Sequence, residues 1–239
     1  MTETHTFSQR ADWIPRKIKT DALLICLLLM PLQLFAAVAF DGEPVRTNQS
    51  ASFVVSLTIS GKTTAGSNRY GIVALMAGAD TVTGVTWGSN AMTLLGKNQN
   101  ATDGRTAYLY GISNPPTAAS DVVVSIGGGG VRITAVVSSF NGVDPSAPYG
   151  TAQTASGTTS PATVNVTDAV TGDMVVDSLY FFGGGGGGGG PPPSVGADQT
   201  ELGHTDEGAR FGSSSYEAGA ATVTMSWTLT KSRVCSPSS

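Results

Sequence analysis

Few residues in this chain could do chemistry. Histidine occurs twice, at His5 and His204, and cysteine twice, at Cys26 and Cys235. A Ser-His-Asp triad would have to use His204, which lies in the polar run Gly203-His204-Thr205-Asp206-Glu207 with no Gly-x-Ser-x-Gly elbow to support it. His204 therefore reads as a surface residue. Two histidines and two cysteines are too few for a transition-metal site built on imidazole and thiolate ligands. Glycoside hydrolysis needs two carboxyls held across a cleft. The acids Asp80, Asp103, Asp121, Asp144, Asp168 and Asp173 are instead scattered, mostly beside Gly, Pro or Thr, where an aspartate caps a turn. Asp177 differs because it interrupts the apolar run from Val175 to Leu179, which suggests an edge position or a cross-strand partner such as Arg132. No catalytic residue is expected.

No cofactor is expected either. Calcium is the one ion the loops could hold, through Asp and carbonyl oxygens at a sheet end, although no Asp-x-Asp-x-Asp loop occurs. The runs Gly127–Gly130 and Gly183–Gly190 lack the Gly-Lys-Ser/Thr that makes a phosphate loop. Among aromatics, Tyr108 and Tyr110 share one face of the segment Thr106–Ile112, while Ala107 and Leu109 share the other. An open face would make the two tyrosines a sugar platform; a covered one would make them core.

The elements that must position these residues are strands. Ala221, Val223, Met225, Trp227 and Leu229 alternate with Thr222, Thr224, Ser226 and Thr228, so one face of that segment packs and the other meets water. Similar segments recur at Phe53–Ile59, Tyr70–Met76, Val82–Trp87, Thr106–Ile112, Asp121–Ile126, Val131–Phe140, Thr163–Thr167, Met174–Phe182 and Arg210–Tyr216. Gly88-Ser89-Asn90 and Gly127–Gly130 predict two hairpins, and Asn114-Pro115-Pro116 ends a strand. The fold class is all-β: a two-sheet, jelly-roll-like sandwich of about eleven short antiparallel strands. Residues 40–239 form a single domain with a Gly/Pro-rich loop at 183–193, and a division near Gly150–Pro161 is the other arrangement.

Composition agrees with export. Charged residues make up 13% of the chain and hydrophobic residues 40%, which suits a secreted β protein with Thr and Ser on its outer positions. Arg10, Arg16, Lys17 and Lys19 precede an apolar run from Ala22 to Phe35, and Ala37-Val38-Ala39 supplies small residues for cleavage. Residues 1–39 therefore read as a signal peptide, or as a membrane anchor if uncleaved, although a bilayer-spanning helix needs about 20 apolar residues. Cleavage would leave Cys235 alone, without an internal disulfide. The expected location is extracellular or at the cell surface. Residues 40–239 carry nine Lys or Arg against fourteen Asp or Glu and no basic cluster, so no nucleic-acid partner is expected.

A family likeness rests on several motifs in order. They are Asn68-Arg69-Tyr70-Gly71-Ile72-Val73, Val82-Thr83-Gly84-Val85-Thr86-Trp87-Gly88 and Ala91-Met92-Thr93-Leu94. Next come Tyr108-Leu109-Tyr110, Ser139-Phe140-Asn141-Gly142-Val143-Asp144 and Pro148-Tyr149-Gly150. Gly172-Asp173-Met174-Val175-Val176-Asp177 and Met225-Ser226-Trp227 complete the set. Together these resemble a jelly-roll-like β-sandwich module of secreted bacterial proteins, met also in phage and environmental sequences. The resemblance implies an extracellular or particle-surface role and brings no catalytic residues with it. Modules of this kind look as though they continue past the Ser-Arg pair, here Ser232-Arg233, into one more apolar strand, whereas this chain runs Val234-Cys235-Ser236-Pro237. That departure predicts an unfilled strand position, open to a partner chain by strand addition, with Ala221, Val223, Met225, Trp227 and Leu229 at the contact.

The expected function is thus a secreted, non-enzymatic structural or adhesive module on a cell or virion surface, self-assembling through an open strand edge. A carbohydrate-binding module and a phage receptor-binding or decoration protein are the alternatives. Expected partners are a second copy or a surface glycan or protein, with membrane contact only through an uncleaved N-terminal segment.

Overall fold

The computed structural model describes residues 36–50, 52–182, 191–207, 210–229 and 235–238. The N-terminal segment expected to direct export and the run Gly183–Gly190 lie outside the described residues. All regular structure in the described part is antiparallel strand. In chain order the strands are β1 (Ala39–Phe40), β2 (Arg46–Gln49), β3 (Ser56–Lys62), β4 (Tyr70–Ala77), β5 (Val82–Trp87), β6 (Asn90–Ala91), β7 (Thr93–Gln99), β8 (Thr106–Ser113) and β9 (Ser120–Ile126). There follow β10 (Ile133–Asn141), β11 (Ala162–Val166), β12 (Met174–Val176), β13 (Ser178–Phe182), β14 (Ser194–Val195), β15 (Thr200–Glu207), β16 (Arg210–Ala218), β17 (Val223–Thr228) and β18 (Cys235–Ser238).

In place of two sheets and about eleven strands, the described residues form eighteen strands in four sheets. One sheet runs β1-β10-β4-β8-β7 with β2 also on β10, and a second runs β3-β9-β5-β6. The third runs β12-β16-β13-β18 with β15 on β16, and the fourth runs β11-β17-β14. The first two sheets draw on residues up to Asn141 and the last two on residues from Ala162 onward, so the break falls close to Gly150–Pro161. Both halves nevertheless belong to one compact unit, Phe35–Ser239.

Side-chain parity explains how the sheets share cores. In β4, Val73, Leu75 and Ala77 join a cluster with Leu57, Val85, Trp87 and Val124 of the second sheet. The intervening Ile72, Ala74 and Met76 join a different cluster, which includes Tyr180, Met174 and Tyr216 of the third sheet. Leu179, Phe181 and Phe211 of that third sheet then pack with Trp227 and Leu229, and Val175 packs with Val223 and Met225. The first and third sheets are therefore covered on both faces, as the unbroken burial of β4 shows. A strand covered on both sides reads as a continuous apolar run rather than an alternation. Strand β17, in a sheet covered on one face, keeps the alternation expected of it, with Val223, Met225 and Trp227 buried and Thr224 and Thr228 exposed.

Local signals misled where the chain changes sheets. Gly88-Ser89 does connect Trp87 to Asn90, but after Ala91 the chain leaves the second sheet and β7 pairs with β8 of the first. Gly127–Gly130 joins β9 of the second sheet to β10 of the first, so it is a crossing and not a hairpin. Gly130 fits that crossing because its φ is +79° and a Cβ there would lie 3.0 Å from the Val54 carbonyl oxygen. The alternation from Phe53 also slips, since Val55 and Ser56 are both exposed before Leu57 turns inward.

The open strand position expected at the C-terminal end is filled by the chain itself. Cys235–Ser238 pair with β13, aligning Ser236 with Tyr180. Another edge is blunted by side chains. Asn48 Nδ2 donates to the Thr58 carbonyl at 2.6 Å and Arg46 to the Gly61 carbonyl at 3.5 Å, covering acceptors on the edge strand β3.

Candidate functional site

Asp177 is the most deeply placed acid in the described residues. It follows β12 at the point where the strand breaks before β13, and its side chain keeps the parity of Val175 and Leu179. The carboxyl therefore points into the core shared with β17, and none of it reaches solvent. Trp227 Nε1 donates to Oδ2 at 2.6 Å. The Ser215 amide and hydroxyl donate to Oδ1 at 2.7 and 3.0 Å. Gln199 extends the network, its Nε2 donating to Ser215 Oγ at 2.7 Å and its Oε1 accepting the Ser226 amide at 2.6 Å. Three donors favour the carboxylate, yet burial outweighs them and pushes its pKa up to about 7. The expected partner Arg132 is elsewhere, its guanidinium 6.0 Å from the Phe53 ring centre. Asp177 sits at neither an edge nor a cleft. It ties three strands together through the core.

The two tyrosines proposed as a sugar platform face the core of the first two sheets. Tyr108 is 1% exposed and Tyr110 5%, with ring centres 6.3 Å apart. The Tyr108 hydroxyl donates to Asp80 Oδ1 at 2.8 Å, and Lys97 Nζ binds Asp80 Oδ2 at 2.6 Å. That Lys97 contact holds the Asp80 carboxyl below its usual range, with the Tyr108 hydroxyl adding to it. The second sheet covers the face a glycan would need, so the platform is excluded.

The proposed strand-edge contact fails for a similar reason. Val223, Met225, Trp227 and Leu229 are buried in the core, and only Ala221 is exposed. β17 is the central strand of its sheet, flanked by β11 and β14. His204 is half-exposed and pairs with Glu201 Oε1 at 2.6 Å, as a surface residue would. A buried cation escaped the sequence reading: Lys62 is fully enclosed, its Nζ has no hydrogen-bond partner, and burial lowers its pKa against the pull of Asp41 and Glu43.

One opening in the described surface is a cleft of about 470 Å³. Its floor is the face of the first sheet turned toward the third, where Tyr70, Ile72, Leu109 and Phe140 point outward. β12 forms one wall through Met174 and Val176, and the connection between β10 and β11 forms another through Val143, Pro148 and Tyr149. Tyr149 is 53% exposed and stands over Tyr70 with ring centres 6.3 Å apart. Burial raises the Tyr70 pKa, so its hydroxyl stays neutral at physiological pH.

Three carboxylates line this cleft, each bound to a backbone amide. Asp144 Oδ1 accepts the Ser146 amide at 2.8 Å and hydroxyl at 2.7 Å, contacts that hold its pKa low. Asp168 Oδ2 accepts the Thr151 amide at 3.3 Å, and Asp173 Oδ2 accepts the Val170 amide at 2.9 Å. Asp144 and Asp173 cap turns, as their sequence neighbours imply, whereas Asp168 reaches an amide 17 residues away. Sequence reasoning missed that the three acids line one cleft. The signal was present in the paired motifs Val143-Asp144 with Pro148-Tyr149-Gly150 and Gly172-Asp173-Met174, which lie on opposite walls. Among the described residues no group of three or more His, Cys, Asp or Glu is placed to hold a metal ion. No helix there is long and apolar enough to cross a membrane.

Compared with known proteins, the chain matches no family model, no curated protein and no solved structure.

Proposed function

We propose that this chain is an exported, non-enzymatic β-sandwich module that acts by recognition at a cell or virion surface, with the cleft beside Tyr70 and Tyr149 as its binding site. The observation that carries this reading is the cleft itself. Its volume of about 470 Å³ lies in the range of small-ligand sites, and its floor is aromatic and aliphatic. The polar groups around it are carboxylates already anchored to backbone amides, an arrangement suited to holding a ligand in one orientation. Export is supported by the apolar run Ala22–Phe35 and the small residues Ala37-Val38-Ala39.

Titration with the neutral fluorophore N-phenyl-1-naphthylamine tests the site. Saturable enhancement is expected, and Ala147→Trp, at an exposed position on the cleft wall, should abolish it without changing the melting temperature. Absence of saturation, or saturation untouched by Ala147→Trp, overturns the reading.

Self-association is the second reading. It rests on Phe53 and Val55, which are 71% and 62% exposed just before the edge strand β3.

A further inference from the structure

The small residues that read as a cleavage site are built into the fold. Ala39 pairs with Asn141 and Phe40 with Phe140, so the bond a signal peptidase would cut lies inside β1. The Val38 amide donates to the Gly172 carbonyl at 2.8 Å, and the Asp41 amide donates to the Ser139 carbonyl at 3.2 Å. The segment thereby ties the edge of the first sheet to the turn that precedes β12 of the third. The Val38 side chain is half-buried, packs on the cluster that holds Phe140 and Met174, and lines the cleft. Gly142 gives a second observation, made outside the segment itself. Its φ is +76°, and a Cβ there would lie 2.9 Å from the Ala37 carbonyl oxygen and 3.3 Å from that of Ala36. The chain thus carries a glycine where these two carbonyls approach.

We propose that residues 36–39 stay on the exported protein as a strap at the edge of the first sheet, so that the chain is not cut after Ala39 and keeps the apolar run 22–35 attached. Of the two fates open to residues 1–39, this selects attachment over removal. It rests on the export reading and adds what becomes of the segment that directs it. A segment destined for removal needs no partners in the folded protein. This one has a ladder pair, an amide contact, an apolar contact and a glycine that makes room for it. Cutting after Ala39 would remove half of β1, leave the Gly172 carbonyl without the Val38 amide and strip Val38 from the cleft wall. It would also place an ammonium group on Phe40, whose half-buried ring stacks on Tyr216 and meets the edge of Phe140, each at 6.0 Å.

The test is expression of the full chain in a bacterium with an active signal peptidase, followed by labelling of intact spheroplasts with a membrane-impermeant, amine-reactive biotin reagent. Lys97, whose side chain is 46% exposed, offers an accessible amine on every molecule that has crossed the membrane. The captured molecules are digested and their N-terminal region is read by mass spectrometry. Peptides running unbroken from Phe35 through Phe40 are expected. An N-terminus at Phe40 overturns the inference and leaves the cleft, with its own naphthylamine titration, untouched. Capture of no molecules overturns the export reading and this inference with it. Amide exchange on the purified full chain separates a built-in strap from a tail that merely escaped cutting. The Val38 and Asp41 amides should exchange at least about tenfold more slowly than in an unfolded peptide. Exchange at the unfolded rate overturns the inference even where the chain is uncut.

Discussion

Asp177→Asn should turn a pH-dependent protein into a nearly pH-independent one at this site. In the fold the carboxyl titrates at about 7, against an ordinary value of 3.8. A raised value in the folded state means the protein holds a proton that the unfolded chain releases. The stabilisation is therefore complete below pH 3.8 and is lost as pH rises through 7. At 1.36 kcal/mol for each tenfold difference, the span corresponds to roughly 4 kcal/mol, a large part of a typical domain's stability. Asparagine has no such titration, and its amide brings two donors to a site already lined by donors from Trp227 and Ser215. One of those donors loses its acceptor, at about 1–3 kcal/mol. Urea unfolding at several pH values between 4 and 8 should then give crossing curves: the variant less stable at pH 4, and equal to or above wild type at pH 8. Other carboxyls titrate in both proteins and cancel in the difference. Parallel curves across that range would refute the reasoning, because they would mean Asp177 has the same affinity for protons in both states.

Four further outcomes follow from the same packing. Trp227→Phe removes one of the three donors to Asp177, so it should cost about 2 kcal/mol or more and extend the loss of stability to higher pH, read by the same unfolding series. Lys62→Met replaces an enclosed, unpartnered ammonium by an apolar chain of similar length and should raise stability by about 1–3 kcal/mol, seen as a higher melting temperature. Gly71→Ala would drive a Cβ into the ring edge of the buried Trp87 and should cost about 1–3 kcal/mol. Gly84→Ala meets nothing within 4 Å and should leave the melting temperature nearly unchanged.

The strands were legible because period two is a local property. Val82–Trp87 matches its expected bounds, and the ends of β4, β8 and β16 lie within two residues of theirs. Stacking was not legible, although its mark is in the residues. Tyr70–Ala77 and Ser178–Phe182 are apolar on both parities, which is the pattern of strands covered on both faces, and reading them as half-buried produced two sheets where four exist. For Tyr108 and Tyr110 the sequence left platform and core both open, and the covering second sheet makes them core. β2 escaped notice because Arg46-Thr47-Asn48-Gln49 is polar throughout; it is held by pairing with β10 and not by burial. The cleft escaped because its walls come from residues some thirty positions apart along the chain, brought together only when the third sheet docks on the first. Asp177 was singled out correctly as unusual, but its partner Trp227 lies 50 residues away on a strand that nothing local connects to it.

Recognition in the cleft is tested most directly by labelling the methionine methyl groups with carbon-13 and titrating N-phenyl-1-naphthylamine while recording their NMR positions. Met174 lines the cleft, whereas Met92 and Met225 lie in cores on the far sides of the first and third sheets. The account predicts a saturable shift of the Met174 methyl with Met92 and Met225 unmoved. A shift at Met92 or Met225 with Met174 unmoved would place binding elsewhere and contradict it.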